Sequence, residues 1–181
     1  MQLVTILKFF ILISSILILP TQIFSESAKF LSGKVEFICD TRFGKVKGII
    51  PEVSVESLDY SKGTAKILIK TGSLSTSNSL RDSHLKGEDF FHVKKFSHAT
   101  FEATSLSPIS ENSFNLIGKL TIKNISKDLI IPVTKTLNGN QVSFSGSVTV
   151  NRRDFKMEYD NFVNPIEDKV ILKITALLEV K

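Results

Sequence analysis

Residues whose types and spacing could do chemistry gather between positions 79 and 91, where Arg81, Asp82, His84 and the pair Phe90-Phe91 fall within one short stretch flanked by strand-like segments. Ser79 followed three residues later by Asp82 is a weaker form of the capping box, Asp standing in for Glu or Gln, and it predicts a short helix ending near Gly87. On that helix Leu80, His84 and Leu85 share a face, Arg81 comes near Leu85, and Lys86 comes near Asp82. With Phe90 and Phe91 just beyond it, the helix has the makings of a lid. A histidine between leucines and an Arg-Asp dipeptide also suit a packed turn with a surface ion pair; the clustering argues for a site.

Two further groups carry chemistry. His84, His92 and His98 lie within fifteen positions, but their spacing matches no standard zinc pattern, and no metal ligand is expected among them. Arg152-Arg153 ends a strand-like run, and a guanidinium there has the planar fork that grips phosphate. Neighbours on a strand face opposite ways, so at most one points at a given pocket; an arginine paired with Asp154 or Asp82 is the alternative. The chain holds no G-x-S-x-G, H-E-x-x-H, phosphate-binding Gly-Lys-Ser/Thr or G-x-G-x-x-G motif, so no catalytic residue is assigned. Cys39 is the single cysteine. It alternates with Val35 and Phe37 and reads as a small buried hydrophobe.

The elements that must position these groups begin after a leader. One lysine precedes an apolar run over residues 9–19, Pro20 breaks it, and Ser25-Glu26-Ser27 precedes Ala28; residues 1–27 read as a secretory signal peptide and residues 28–181 as one domain. The expectation is an exported protein, periplasmic or secreted, with no membrane span in the mature chain. The net charge of +5 is scattered among acidic residues, which gives no footprint for nucleic acid.

Alternation predicts strands over residues 32–40, 53–56, 66–70, 99–107, 114–123, 129–136, 141–151 and 169–180, with a further short one between Gly44 and Pro51. Gly118 leaves room on its face, Pro132 marks an edge or bulge, and Asn138-Gly139 signals a hairpin. The fold class is all-β: about eight antiparallel strands in a barrel, with one short helix. Such a barrel encloses side chains or one slender ligand. Phe101, sharing a face with Ala99 and Ala103, and Phe144 and Val148, on the apolar face of residues 141–151, are placed on the lumen together with Phe91. Arg81, His84 and Arg153 are placed toward the helix-covered region, where arginines would favour an anionic head group.

Arg81-Asp82-x-His84-Leu85 with Asp89-Phe90-Phe91, Lys95-Phe96-x-x-Ala99-Thr100-Phe101, Gly118-x-Leu120-Thr121-Ile122-x-Asn124-x-Ser126-Lys127 and Asn151-Arg152-x-Asp154-Phe155 resemble, in order and spacing, the YceI-like family of exported bacterial proteins. The resemblance covers nearly all of residues 28–181. It implies a lipocalin-like barrel whose partner is a long-chain isoprenoid or other amphiphilic lipid, with a polyisoprenoid or isoprenoid quinone bound, no cofactor and no catalysis. The sequence departs from the family where Phe37-Ile38-Cys39-Asp40 runs into a short loop and where His92 follows the paired Phe. A haem- or metal-binding barrel, or a purely structural, stress-related barrel without lipid, is the alternative function.

Overall fold

A computed structural model describes residues 27–160 and 162–181. The expected leader therefore lies, but for Ser27, outside the described residues. Nine strands follow in order: β1 (Ala28–Thr41), β2 (Gly44–Ile50), β3 (Val53–Asp59), β4 (Thr64–Lys70), β5 (His98–Ser110), β6 (Ser113–Ile122), β7 (Ile125–Asn138), β8 (Gln141–Asn151) and β9 (Ile166–Val180), with the helix α1 (Ser79–Leu85) between β4 and β5. All pair antiparallel in a single sheet ordered β2-β1-β9-β8-β7-β6-β5-β4-β3. The first and last strands meet, Ala28 opposite Val180, and β1 packs on β3, so the sheet curls into a half-barrel. Among the described residues no helix is long and apolar enough to cross a membrane.

A fully closed barrel has no edges, whereas here β2 and β3 remain as edges of the ladder. The edge of β2 is protected locally instead: Ile49 and Ser75 exchange two backbone hydrogen bonds of 2.9 Å, which lays the segment after β4 along the open strand.

Turn chemistry sets the register. Lys123 and Asn124 adopt φ of 52° and 61° between β6 and β7, as a two-residue type I′ connection requires at both positions. In the next hairpin Asn138 pairs with Gln141 and Gly139 has φ 60°, so Gly139-Asn140 forms the turn and Asn138 ends the strand. Gly118 serves a close approach: a Cβ there would stand 2.4 Å from the Glu102 carbonyl oxygen and 2.7 Å from the Phe101 ring. The same spot carries an irregularity in β5 between Ala103 and Ser105. Pro132 sits where β7 leaves β8: its partner is Asn115 of β6, and the ladder to β8 begins only at Val133, as the missing N–H demands.

Helix α1 begins one residue earlier than the capping-box pattern suggests. Asn78 is the cap, its Oδ1 accepting from the Arg81 N–H at 3.0 Å. The Asp82 carboxylate instead reaches back to the Thr76 N–H at 2.7 Å, the Thr76 hydroxyl at 2.5 Å and the Ser75 hydroxyl at 3.2 Å. Leu80, expected to share the inward face, is 83% exposed; the inward face is Arg81, His84 and Leu85, the i, i+3, i+4 stripe. The core runs through the curl from Val35 and Phe37 on β1 to Phe101, Leu120 and Val133, and is closed at one end by Leu74, Phe90 and Phe155.

Candidate functional site

Inward-facing side chains leave space along the axis of the curl. One cavity of about 170 Å³ lies at the end away from α1, and a second of about 160 Å³ lies beneath α1. Val35, Ile69, Leu120 and Leu172 wall both, so the two are successive chambers of one lumen. The distal chamber is bounded by β-branched, Leu and Phe side chains, and Phe101, Phe144 and Val148 all face it. Alternation along β5 and β8 is what puts them there. Lys34, on the wet face by sequence pattern, also reaches this chamber while pairing with Glu36 at 3.3 Å.

The chamber under α1 is more mixed: Arg81, His84, Phe91, Phe90, Cys39 and Arg152 all border it. Phe91 thus stands in this chamber, apart from the other three phenylalanine and valine positions singled out by sequence. Arg81 donates from Nε to the Thr76 hydroxyl at 2.8 Å and from Nη2 to the Thr76 carbonyl at 2.9 Å. His84 packs edge-on against Phe90 at 5.1 Å and Tyr159 at 4.4 Å between centroids, and its Nε2 lies 3.4 Å from Asp89. Burial pushes the Asp82 carboxyl up, but the hydrogen bonds from Thr76 and Ser75 outweigh it and hold Asp82 below the usual carboxylate range.

Arg153 does not face the lumen. Strand β8 ends at Asn151 and the chain enters a 3-10 turn, Arg152–Phe155, whose first N–H groups are capped by the Asn151 side chain accepting from Arg153 N at 2.9 Å. In-and-out alternation stops there, and the guanidinium of Arg153 swings outward to Asp168 at 2.7 Å and to Asp160. Neither Asp154 nor Asp82 is its partner. Hydrogen bonds from Arg153 hold the Asp160 carboxyl below its ordinary value. Arg152 takes the inward place and is 4% exposed. Its donors go to the carbonyls of Met157, Ile166 and Glu167 and to Asp168 at 2.9 Å. The switch at Asn151, a residue whose side chain caps turns, is the signal in the sequence that alternation would fail.

Cys39 is buried, with its thiol 3.5 Å from the Glu167 carbonyl. Burial pushes that thiol up, against a smaller opposing pull from Arg152. The histidines have separate partners: Asp89 for His84, Glu88 at 3.5 Å for His92, and Ser97 at 2.9 Å for His98. Among the described residues no three His, Cys, Asp or Glu side chains gather as a metal would require.

A curled antiparallel half-barrel with an apolar, helix-capped lumen defines a lipocalin-like class of fold. Residues 29–178 match the model of the YceI-like domain, and the chain belongs to that family. Relatives include a UPF0312 protein of Ectopseudomonas mendocina, 26% identical over 65% of this chain and 65% of its own length, and one of Shewanella oneidensis, 30% identical over 58% of this chain and 59% of its own. The chain thus spans just under two thirds of these curated relatives. Among solved structures, Burkholderia cenocepacia BcnA superposes with a TM-score of 0.71 at 24% identity, covering 80% of this chain and 95% of that one. A polyisoprenoid binding domain from Saccharophagus degradans, implicated in plant cell wall breakdown, superposes with a TM-score of 0.71 at 13% identity, covering 87% and 99%.

Proposed function

We propose that this chain is an exported binding protein that holds a long isoprenoid lipid in its lumen, tail toward the distal chamber and head beneath α1, and that the head is uncharged. The single observation that carries the reading is the pairing of an apolar two-chamber lumen with two bordering arginines already engaged by the protein, Arg152 by Asp168 and three carbonyls and Arg81 by Thr76. Each buried methylene contributes about 0.8 kcal/mol, so one isoprene unit outweighs a net hydrogen bond of about 1 kcal/mol; tail burial supplies the affinity.

An anionic head group, which arginines in the sequence would favour, is disfavoured by what these two side chains already hold. Arg152 is neutralised by Asp168 and bonded to three carbonyls. Arg81 spends Nε and one donor of Nη2 on Thr76. A pyrophosphate brought under α1 would leave water for a chamber in which Asp168 already neutralises Arg152 and Thr76 holds part of Arg81, a large cost in apolar surroundings. A quinone carbonyl or a hydroxyl needs one donor, and Arg81, which borders the same chamber, has N–H groups beyond the two it gives to Thr76. The chemistry is binding, with no bond made or broken. The polyisoprenoid binding described for the Saccharophagus degradans domain, which shares the fold, agrees with this class.

Native mass spectrometry of the protein isolated from its own host tests the reading. A retained neutral lipid with a mass ladder of isoprene units is the expected result. Repeated isolation without long-chain lipid, together with no uptake of a prenyl quinone, would overturn it.

A further inference from the structure

The geometry points to a bilayer-docking rim at the α1 end of the half-barrel: Phe43, Phe162 and Leu80 project from three separate elements around the proximal chamber and enter the interfacial layer of a lipid membrane. Phe43 is 73%, Phe162 99% and Leu80 83% exposed. They share one end of the molecule because the residues beside them wall the same chamber. Thr41 and Val46 flank the β1–β2 turn, Ile166 follows the 162–165 segment, and Arg81 follows Leu80, and all four border the chamber under α1. The turn and the 162–165 segment are tied directly, Arg42 N–H donating to the Pro165 carbonyl at 3.3 Å and Thr41 pairing with Ile166.

The β1–β2 turn is built to hold its ring outward. The Thr41 hydroxyl donates to the Gly44 carbonyl at 2.8 Å and accepts from the Phe43 N–H at 3.3 Å, and Gly44 takes φ 121°, a left-handed value that suits glycine. A tight, internally bonded turn presents Phe43 at little entropic cost on insertion. The hairpin is also cationic: Arg42, Lys45 and Lys47 are exposed, with Asp40 pairing Lys45 at 2.6 Å. Across the rim, Asp160 and Asp168 are engaged by Arg152 and Arg153, while Glu158 and Glu167 remain as exposed acids. Aromatic side chains at isolated tips beside basic residues match a membrane interface with anionic lipid. A flat protein partner would be met by three separated points. The choice of bilayer over protein rests on the lipid-holding reading; the rim itself does not.

Vesicle flotation separates the two. With vesicles of phosphatidylglycerol and phosphatidylethanolamine, the wild-type chain should float, and Phe43→Ser with Phe162→Ser should partition at least tenfold less while taking up a prenyl quinone in detergent as wild type does. Arg42→Glu with Lys47→Glu should lose partitioning to these vesicles and not to pure phosphatidylcholine. All variants carry the same N-terminus, so any pull from residues 1–26 cancels. Val148→Phe, which fills the lumen, should lose quinone uptake and still float. The rim is overturned if the Phe43/Phe162 double variant floats like wild type, if wild type stays in solution, or if the double substitution instead converts a dimer to a monomer by light scattering with flotation unchanged.

Discussion

Adjacent arginines in this chain have opposite fates, and single substitutions should separate them. Arg152 is buried and bonded to three carbonyls and Asp168, so Arg152→Ala should destabilise by on the order of 3 kcal/mol, through acceptors left unpaired. Arg153 forms an exposed pair with Asp160 and Asp168, and Arg153→Ala should move the urea midpoint little. Equal losses from both would contradict the assignment of the inward arginine. Cys39 offers a second residue-scale test: its burial and raised thiol pKa predict slow alkylation at pH 8 in the native protein and rapid alkylation in urea. Asp82 gives a pH dependence. Its folded pKa lies below the unfolded value of about 3.9, so its contribution is present above that value and is lost as pH falls through the folded one. Asp82→Asn should therefore flatten the loss of stability as pH falls below about 4 in acid titration of the melting temperature; an unchanged slope would show that Thr76 and Ser75 do not hold the carboxylate.

Elements fail or hold at their boundaries. Asn78→Ala removes the α1 cap and should cost about 1 kcal/mol, whereas Ser79→Ala, at the position the sequence pattern suggests, should be nearly silent. Gly118→Ala should cost about 1–3 kcal/mol by overpacking, because the added methyl meets backbone at the Glu102 carbonyl as well as the Phe101 ring; a silent substitution would contradict the close approach. These boundaries also mark how far the sequence could be read. Alternation over residues 141–151 suffices to put Phe144 and Val148 on one apolar face, and the nine strand segments are each visible as hydrophobic runs between Gly, Pro, Asn and Ser. What escaped were events of one residue: Asn78 in place of Ser79 as cap, Leu80 turned outward because Leu85 fills the stripe, and Arg153 turned outward because the strand had already given way to a 3-10 turn. The outward turn of Arg153 depends on its long-range pairing with Asp168, which no local pattern encodes, and only the cap residue Asn151 signals that the strand stops there. The three exposed apolar side chains of the rim lie far apart in the chain, and the pairing of Thr41 with Ile166 and the hydrogen bond from Arg42 to Pro165 bring two of them to one end.

For the whole molecule, the sheet wraps an elongated apolar space instead of filling it, and the family membership of residues 29–178 fits a fold whose use lies in what that space holds. Chambers joined through Val35, Ile69, Leu120 and Leu172 favour a ligand longer than either chamber. Affinity should therefore rise with the number of isoprene units until both are occupied, then level off. The charge accounting under α1 adds a demand on the head group that tail length alone does not. The most direct measurement is equilibrium binding of a prenyl quinone and a prenyl pyrophosphate of equal chain length to wild type and to Val148→Phe. The quinone should bind wild type more tightly than the pyrophosphate, and Val148→Phe should lose the quinone by at least tenfold while keeping its melting temperature. Tighter binding of the pyrophosphate, or quinone binding indifferent to the filled lumen, would contradict the binding of a neutral isoprenoid lipid in the lumen.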